Sequence, residues 1–168
     1  KTMADRTTLD DVKRIAWAAC DTFRGVIDAS EYKDFILVFL FYKYVSDVWK
    51  EHYQEADQRY KGDQLRVERK MARERFVIPK GASFDDLYRQ RNADNIGELI
   101  DQALDAIAER NKTKIGDAFA DVMFNSETKL GDTKNRNRRL KSLIEDFAKL
   151  DLRPSRVVGD GADHRTAE

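Results

Sequence analysis

The sequence predicts a mainly α fold, a compact multi-helix bundle around one long central apolar helix, with at most one minor β pairing. Three observations lead to this prediction. Apolar residues recur at helical spacing along most of the chain, only two prolines and eight glycines interrupt it, and residues 35–42 form an unbroken apolar run. With 168 residues, 41% of them apolar, the chain is large enough for one domain with a hydrophobic core.

The first helix is predicted over residues 9–23. Thr7 and Thr8 precede it as candidate caps, and Arg24 and Gly25 end it. Its apolar face comprises Leu9, Val12, Ile15, Ala16, Ala19 and Phe23. Trp17 lies off this face, and we expect it to pack on a second helix.

The central helix is predicted over residues 30–60. Asp28 and Glu31 have the spacing of a capping box, and Ser30 is a second candidate for the N-cap. The helix is apolar on nearly every side for two turns and amphipathic beyond them, so we expect neighbouring elements to cover most of it. A membrane span is the competing interpretation, but it requires about 20 apolar residues. Asp34 and Lys43 bracket the apolar run too closely for that.

The remaining elements are less apolar. A charged third helix is predicted over residues 64–75, and residues 76–79 are expected to be extended because they lead into a proline. Ser83 caps a short helix that includes residues 87 and 88. The later elements are an amphipathic helix at 95–110, a loop at 125–133 and a last helix at 134–150, which Pro154 stops. We therefore predict an N-terminal tail at 1–8, a helical domain at 9–153 and a flexible tail or linker at 154–168.

The composition limits the kind of partner that net charge can attract. The 31 basic and 31 acidic residues cancel, which excludes a globally basic protein held to nucleic acid by net charge but allows a local basic face. The single cysteine, Cys20, cannot form an internal disulfide, in keeping with a reducing compartment. No apolar stretch typical of a signal peptide follows the N-terminus. We therefore expect a cytoplasmic protein.

No set of side chains has the spacing of a catalytic site. His52 and Glu55 lie one helical turn apart, which can suit a metal, but no second His–carboxylate pair accompanies them, so a solvated histidine is the preferred interpretation. Cys20 lies near alanines and is expected to be a small buried residue rather than a nucleophile. Asp85 and Asp86 fit helix N-terminal charges rather than an acid–base pair.

Two basic segments are candidates for contact with DNA phosphates, because each Lys or Arg can displace a counterion condensed on a duplex. The first is KNRNRRLK at residues 134–141, with five cations and no acid, and the second is at 66–75, where two acids interrupt five cations. The candidate contacts are Lys134, Arg136, Arg138, Arg139 and Lys141 in the first segment, and Arg66, Arg69, Lys70 and Arg73 in the second. The alternative interpretation of both segments is a solvated helix face.

The position of these cations on the last helix can be predicted from helical spacing. Lys134, Arg138 and Lys141 follow one another at i, i+4 and i+7 and share one face. Arg136 and Arg139 are expected, like Arg138, to lie off the buried apolar stripe of that helix. We therefore expect the cations to be free for a positional role on DNA, without reading bases.

Short segments along most of the chain resemble the N-terminal helical domain of the modification subunit of type I restriction–modification systems. These segments are DASEYKDF at 28–35, KYVSD at 43–47, FVIP at 76–79, NIG at 95–97, IDQAL at 100–104, FNS at 124–126, LIEDF at 143–147 and LDL at 150–152. Their order matches throughout, and the resemblance extends over roughly residues 9–153, most of the chain.

The resemblance implies part of an adenine-specific DNA methyltransferase that uses S-adenosylmethionine. The family's glycine-containing cofactor motif and its Asn-Pro-Pro-aromatic motif do not occur, since the two prolines are Pro79 and Pro154. We therefore expect this chain to bind no cofactor and to transfer no methyl group, with the catalytic domain following it. The implied partners are DNA, a specificity subunit, other modification subunits and the restriction subunit, and the implied role is to help clamp DNA and assemble the subunits.

A helical protein–protein interaction module with no nucleic-acid role is the alternative function. Tyr53 and Tyr60 on the outer half of the central helix, and Tyr88 on the short helix, would be its interface anchors. Salt dependence separates the two functions, because binding through phosphates weakens steeply with salt and binding through an apolar interface does not.

Overall fold

The computed structural model describes residues 6–119 and 122–158, and most of them are helical. The helices are α1 (Leu9–Phe23), α2 (Ala29–Arg59), α3 (Gln64–Met71), α4 (Phe84–Arg89), α5 (Ile96–Arg110), α6 (Lys112–Ile115), α7 (Glu127–Leu130) and α8 (Thr133–Ala148). A 3-10 turn at Pro154–Arg156 follows, and two short strands, β1 (Thr7–Thr8) and β2 (Val157–Val158), pair in parallel. The prediction of a mainly α, multi-helix fold is confirmed.

Helix α2 lies at the centre of the main core, as its apolar run predicts. Phe39 is fully buried, and its ring lies 5.3 to 5.9 Å, between ring centroids, from four other aromatic rings. Those rings belong to Tyr42, Phe84, Phe124 and Phe147. Helix α1 packs on α2 and α8, and α8 also packs on α5. Within the described residues, no helix combines the length and apolar character that crossing a membrane requires.

Two details of α2 differ from the prediction. Asp28 occupies the N-cap position, but its side chain makes no capping hydrogen bond, so the predicted capping box is wrong. The Glu31 side chain instead accepts a hydrogen bond of 2.7 Å from Lys129 Nζ, beyond α5 in the sequence. Leu37 and Tyr44 are 51% and 47% exposed. The helix is therefore covered less completely than its apolar run predicts.

Helix α1 has the predicted bounds, and Thr8 caps it. The Thr8 side chain accepts from Asp11 N–H, and the Asp11 carboxylate accepts from Thr8 N–H, which completes a capping box. Leu9 and Trp17 are both more than half exposed. The placement of Leu9 on the buried face is therefore wrong, and so is the packing of Trp17 on a second helix, since its ring lies beside the Arg24 guanidinium instead.

The strand pair does not involve residues 76–79, which the sequence predicts to be extended. The Asn111 side chain pairs with that segment: its Oδ1 accepts from Val77 N–H, and its Nδ2 donates to the Val77 carbonyl, both at 2.8 Å. One amide side chain thus makes both hydrogen bonds that a neighbouring strand would make there. The strand pair joins β1 to β2, near the two ends of the described chain.

Short elements of secondary structure lie in the described parts of both predicted tails. Residues 7 and 8 form β1, although the sequence pattern assigns them to the N-terminal tail, and residues 154–158 form the 3-10 turn and β2. Ser155 N–H donates to a Glu51 carboxylate oxygen at 3.2 Å, which ties this segment to α2. The rest of both predicted tails, residues 1–5 and 159–168, lies outside the described residues.

Most helix positions agree with the sequence pattern, and the ends differ. Helix α4 begins after Ser83, which forms a capping box with Asp86 as its position predicts. Helix α3 ends at Met71 rather than residue 75, and α8 ends at Ala148, before Pro154 can stop it. The short helices α6 and α7 were not predicted, and α7 lies in the expected loop at 125–133.

Helix α5 and the segment before α7 are held together by a close backbone contact. A Cβ atom at Gly97 would lie 2.8 Å from Asn125 Oδ1 and 2.9 Å from the Phe124 carbonyl oxygen. One turn later, the Asp101 carboxylate accepts the N–H groups of Phe124 and Asn125 at 2.7 and 2.9 Å. Burial raises the pKa of Asp101, although these two hydrogen bonds act to lower it. Residues of the NIG, IDQAL and FNS segments therefore meet at a single contact in the folded domain.

We expect Gly97→Ala to destabilise the domain by about 1–3 kcal/mol, the usual effect of overpacking a well-packed site. An exposed helical glycine behaves oppositely, since alanine there stabilises by about 1 kcal/mol. Urea unfolding of the variant measures the difference, with Gln102→Ala on the exposed face of α5 as the control. A gain in stability for Gly97→Ala would show that the contact with Phe124 and Asn125 is loose.

Candidate nucleic-acid interface

Helix α8 carries the first basic segment, and its cap and buried stripe determine which of its faces points outward. Asp132 caps its N-terminus by accepting from Asn135 N–H at 2.9 Å. Its apolar stripe is fully buried and comprises Leu140, Leu143, Ile144 and Phe147. Because one face of α8 is committed to the core against α1 and α5, the opposite face must point outward.

Three cations on that outer face line one open groove of about 680 Å³ between α8 and the link from α4 to α5. They are Lys134, Arg138 and Lys141, called the groove cations below. The other lining residues are Arg91, Asn92, Ala93, Asp94, Thr133 and Asn137. Within the described residues, none of the groove cations forms an ion pair. The predicted grouping of these three side chains on one face is thus seen in the structure.

Sequence reasoning missed Arg91, a fourth cation of the groove. Its guanidinium lies 4.0 Å from the Tyr88 ring centroid, and its Nε is 3.1 Å from a Glu145 carboxylate oxygen on α8. Across the groove, Asn137 Nδ2 donates to the Asp94 carbonyl at 2.8 Å. No local pattern marks Arg91, because only the packing of α4 and α5 against α8 brings it to this surface.

The prediction that Arg136 lies off the buried stripe of α8 is wrong, and Arg139 is also hydrogen-bonded within the fold. Arg136 is only 9% exposed, and its Nη1 donates to the Gly131 carbonyl at 3.0 Å. Arg139 Nη1 donates to the Leu130 carbonyl at 2.8 Å. Both side chains therefore hold the turn between α7 and α8, where Gly131 has φ of 93°. A phosphate contact by either arginine would compete with these hydrogen bonds.

Helix α3 carries the second basic segment and packs on the outer half of α2. A small separate core joins them, with Ala56, Val67 and Met71 buried and Trp49, Tyr53 and Tyr60 partly buried around them. The cations Arg66, Arg69, Lys70 and Arg73, called the α3 basic face below, line a depression of about 200 Å³ together with Tyr60. This depression is separate from the groove beside α8, so the two predicted segments form two surfaces.

The histidine that the sequence predicts to be solvated contacts a carboxylate. His52 Nδ1 lies against Glu74 Oε1, and the other oxygen of Glu74 is 3.5 Å from Lys70 Nζ. The histidine side chain is 38% exposed. Among the residues that the structure describes, no three His, Cys, Asp or Glu side chains are grouped so that they could hold a metal.

Comparison with known proteins assigns this architecture to a family. The family described as the HsdM N-terminal domain matches residues 12–147, which is most of the chain. The chain belongs to this family. The resemblance seen in the sequence is confirmed by this match.

Two relatives of this HsdM N-terminal domain are much longer than it. The methylase subunit of the type I restriction enzyme MpnII from Mycoplasma pneumoniae is 22% identical over 167 residues, which cover 84% of this chain and 30% of that protein. The crystal structure of a type I restriction-modification methyltransferase subunit from Streptococcus thermophilus matches with a TM-score of 0.65 and 19% identity. That match covers 86% of this chain and 35% of the other. The fold is therefore shared, and the chain spans about a third of each relative.

In this HsdM N-terminal domain the KYVSD segment forms structural contacts. Lys43 Nζ lies 2.8 Å from the Asp47 carboxylate, and both side chains are at least 94% buried. Asp47 also accepts from Leu152 N–H at 2.8 Å, and Ser46 Oγ accepts from Phe84 N–H at 2.7 Å. Burial raises the pKa of Asp47, although Lys43 and the Leu152 N–H act to lower it. The segment thus ties α2 to α4 and to the chain after α8.

Proposed function

We propose that this chain is the non-catalytic N-terminal domain of a type I restriction–modification DNA methyltransferase subunit, and that its groove cations hold DNA by its phosphates. The observation that supports the DNA contact best is the groove beside α8. Three cations face it, and none of them is neutralised by an ion pair within the described residues. Family membership supports the proposal that the domain belongs to a methyltransferase subunit, since both relatives are methylase or methyltransferase subunits.

Contacts of this kind would position the duplex without reading its sequence. Phosphates are the same at every base pair, so Lys134, Arg138 and Lys141 would fix the register and orientation of DNA. A DNA methyltransferase must flip its target base out of the stack, which costs on the order of a few kcal/mol. A domain that closes on the phosphates beside the catalytic site would help to offset that cost.

The proposal places methyl transfer outside this domain. S-adenosylmethionine would be bound by a catalytic domain elsewhere in the longer protein, because the described residues contain only the two-residue strands β1 and β2. Cofactor sites of this kind are built on parallel sheets. The proposed partners are DNA, a specificity subunit, other modification subunits and the restriction subunit, in the cytoplasm. The anchors of the alternative interaction module, Tyr53, Tyr60 and Tyr88, are partly buried against the cores of the domain itself.

The proposal is tested by the triple variant Lys134→Gln, Arg138→Gln and Lys141→Gln in the assembled enzyme. We expect weaker binding to target and non-target duplexes alike. The slope of log affinity against log salt should fall by about 0.9 for each phosphate that the protein no longer neutralises, or about 2.7 for all three. Fluorescence anisotropy titrations at several salt concentrations measure the affinity and the slope together.

The control removes the same charge elsewhere. Lys33, Lys80 and Lys114 are exposed and do not line the groove. Their replacement with glutamine should leave the salt slope unchanged. If the groove variant binds DNA with the affinity and slope of the natural sequence, the groove is only a solvated surface. A loss confined to the target duplex would indicate base recognition and would also contradict the proposal.

A further inference from the structure

The α3 basic face lies next to an apolar side chain that the fold leaves exposed. Leu65 is 57% exposed, precedes Arg66 in the sequence and lies one helical turn before Arg69. It is not part of the small core that α3 forms with α2. A leucine beside cations is poorly suited to a phosphodiester backbone, which offers it little apolar surface. A protein segment offers both carboxylates and apolar side chains.

The cations of this face are mostly unneutralised. Arg66, Arg69 and Arg73 are exposed, and within the described residues only Lys70 of the four forms an ion pair. The depression that they line has a volume of about 200 Å³, and no acidic residue contributes to its lining. Arginine binds carboxylates through two parallel hydrogen bonds, so such a face is complementary to acidic side chains.

The aromatic side chain in the depression is not available for base stacking. Proteins that bind single-stranded nucleic acid combine cations with exposed rings on which bases stack. Here the Tyr60 ring already lies against two guanidinium groups, that of Arg66 at 4.5 Å and that of Arg59 at 5.6 Å. The stacked position holds Arg66 over the ring at the border of the depression. The aromatic contact therefore orients a cation and does not present a free surface to a base.

The geometry points to the α3 basic face and Leu65 as a docking site for an acidic segment of a partner protein. Carboxylates of that segment bind the arginines, and an apolar side chain between them packs on Leu65. This site is separate from the groove beside α8, and it does not depend on the proposed contact with DNA.

A double-mutant cycle with defined peptides tests this inference on the 168-residue chain. The probes are a nine-residue glutamate peptide with one central leucine, the same peptide with a central serine, and a short DNA duplex. The leucine peptide should bind more tightly than the serine peptide. Leu65→Ser should weaken binding of the leucine peptide by about fivefold, a typical effect of removing one partly buried apolar side chain, and leave the serine peptide unaffected.

The charge component is tested separately. Arg69→Gln with Arg73→Gln should weaken the binding of both peptides by about tenfold, because arginine–carboxylate hydrogen bonds are charge-assisted. The matched controls are Leu9→Ser, at a leucine of 55% exposure on α1, and Lys33→Gln with Lys114→Gln. Both controls, and the triple variant of the groove cations, should leave peptide binding unchanged.

Two results would overturn the inference. One is the absence of binding by either peptide. The other is equal binding of the two peptides, with no effect of Leu65→Ser and with displacement by the duplex, which would make the α3 basic face a second phosphate surface.

Discussion

Replacing Phe39 with alanine should destabilise the domain by about 3–5 kcal/mol, the range for large aromatic side chains in cores. Phe39 is fully buried and contacts the rings of Tyr42, Phe84, Phe124 and Phe147. These rings come from α2, α4, the segment before α7, and α8. A cavity bordered by four separate segments cannot close by a local shift, so the loss should lie near the upper end of the range. Urea unfolding followed by circular dichroism measures it.

The same helix supplies the controls. Leu37 is half exposed, and Leu37→Ala should change the free energy of unfolding by no more than about 0.5 kcal/mol. Leu40 is partly buried against the core, so the loss of stability in Leu40→Ala should lie between those of Leu37→Ala and Phe39→Ala. The urea dependence of the free energy should be unchanged in all three variants. A small loss for Phe39→Ala would show that α2 is not the centre of the core.

The sequence predicts well the bounds of those helices whose apolar spacing and end residues are recognisable from neighbouring positions alone. Helix α1 has the predicted bounds, and α5 begins one residue later than predicted and ends where expected. In both, residues at helical spacing meet the core, and a residue type that favours the N-cap position, Thr8 or Asn95, precedes the first turn. These signals involve residues within a few positions of each other, so they can be recognised without knowing the fold.

The contacts that sequence reasoning missed join residues far apart in the chain. Asn111 pairs with Val77 across 34 positions, and no pattern around Asn111 distinguishes it from an ordinary helix-end asparagine. The pairing of Thr7 with Val157 spans nearly the whole described chain. A two-residue strand carries almost no alternation of apolar and polar residues, so only the completed fold reveals it.

The sequence predicts the candidate site only in part: it places the groove cations correctly, and it misplaces Arg136. Helical spacing gives the angle at which a side chain leaves the helix, and it placed Lys134, Arg138 and Lys141 together correctly. The same spacing puts Arg136 on the buried face, because Arg136 precedes Leu140 by four positions, so the expectation that it lies off the apolar stripe misapplied the helical period. Arg136 and Arg139 extend toward the α7–α8 turn, whose carbonyls accept their hydrogen bonds. Charge alone therefore overestimates the number of cations that are free to meet a phosphate.

The second large effect is expected at the buried pair of Lys43 and Asp47. Asp47→Leu should cost about 3–5 kcal/mol, because it leaves the buried Lys43 ammonium without a carboxylate, with only the Phe84 ring centroid 4.6 Å from it. It also removes the acceptor of the Leu152 N–H. Lys43→Met should likewise be strongly destabilising, since the Asp47 carboxylate would then be the uncompensated buried charge. Thermal and urea unfolding at neutral pH measure both single variants.

The double variant Lys43→Met with Asp47→Leu separates the two causes. It buries no unpaired charge, so it should be less destabilised than either single variant, although it contains more changes. The loss of stability that remains in the double variant, about 1–3 kcal/mol, is the cost of leaving the Leu152 N–H without an acceptor. The exposed pair of Lys50 and Asp85 is the control, and Asp85→Ala should cost less than about 1 kcal/mol. If the double variant is as unstable as Asp47→Leu, the hydrogen bond to Leu152 rather than the unpaired ammonium accounts for the loss.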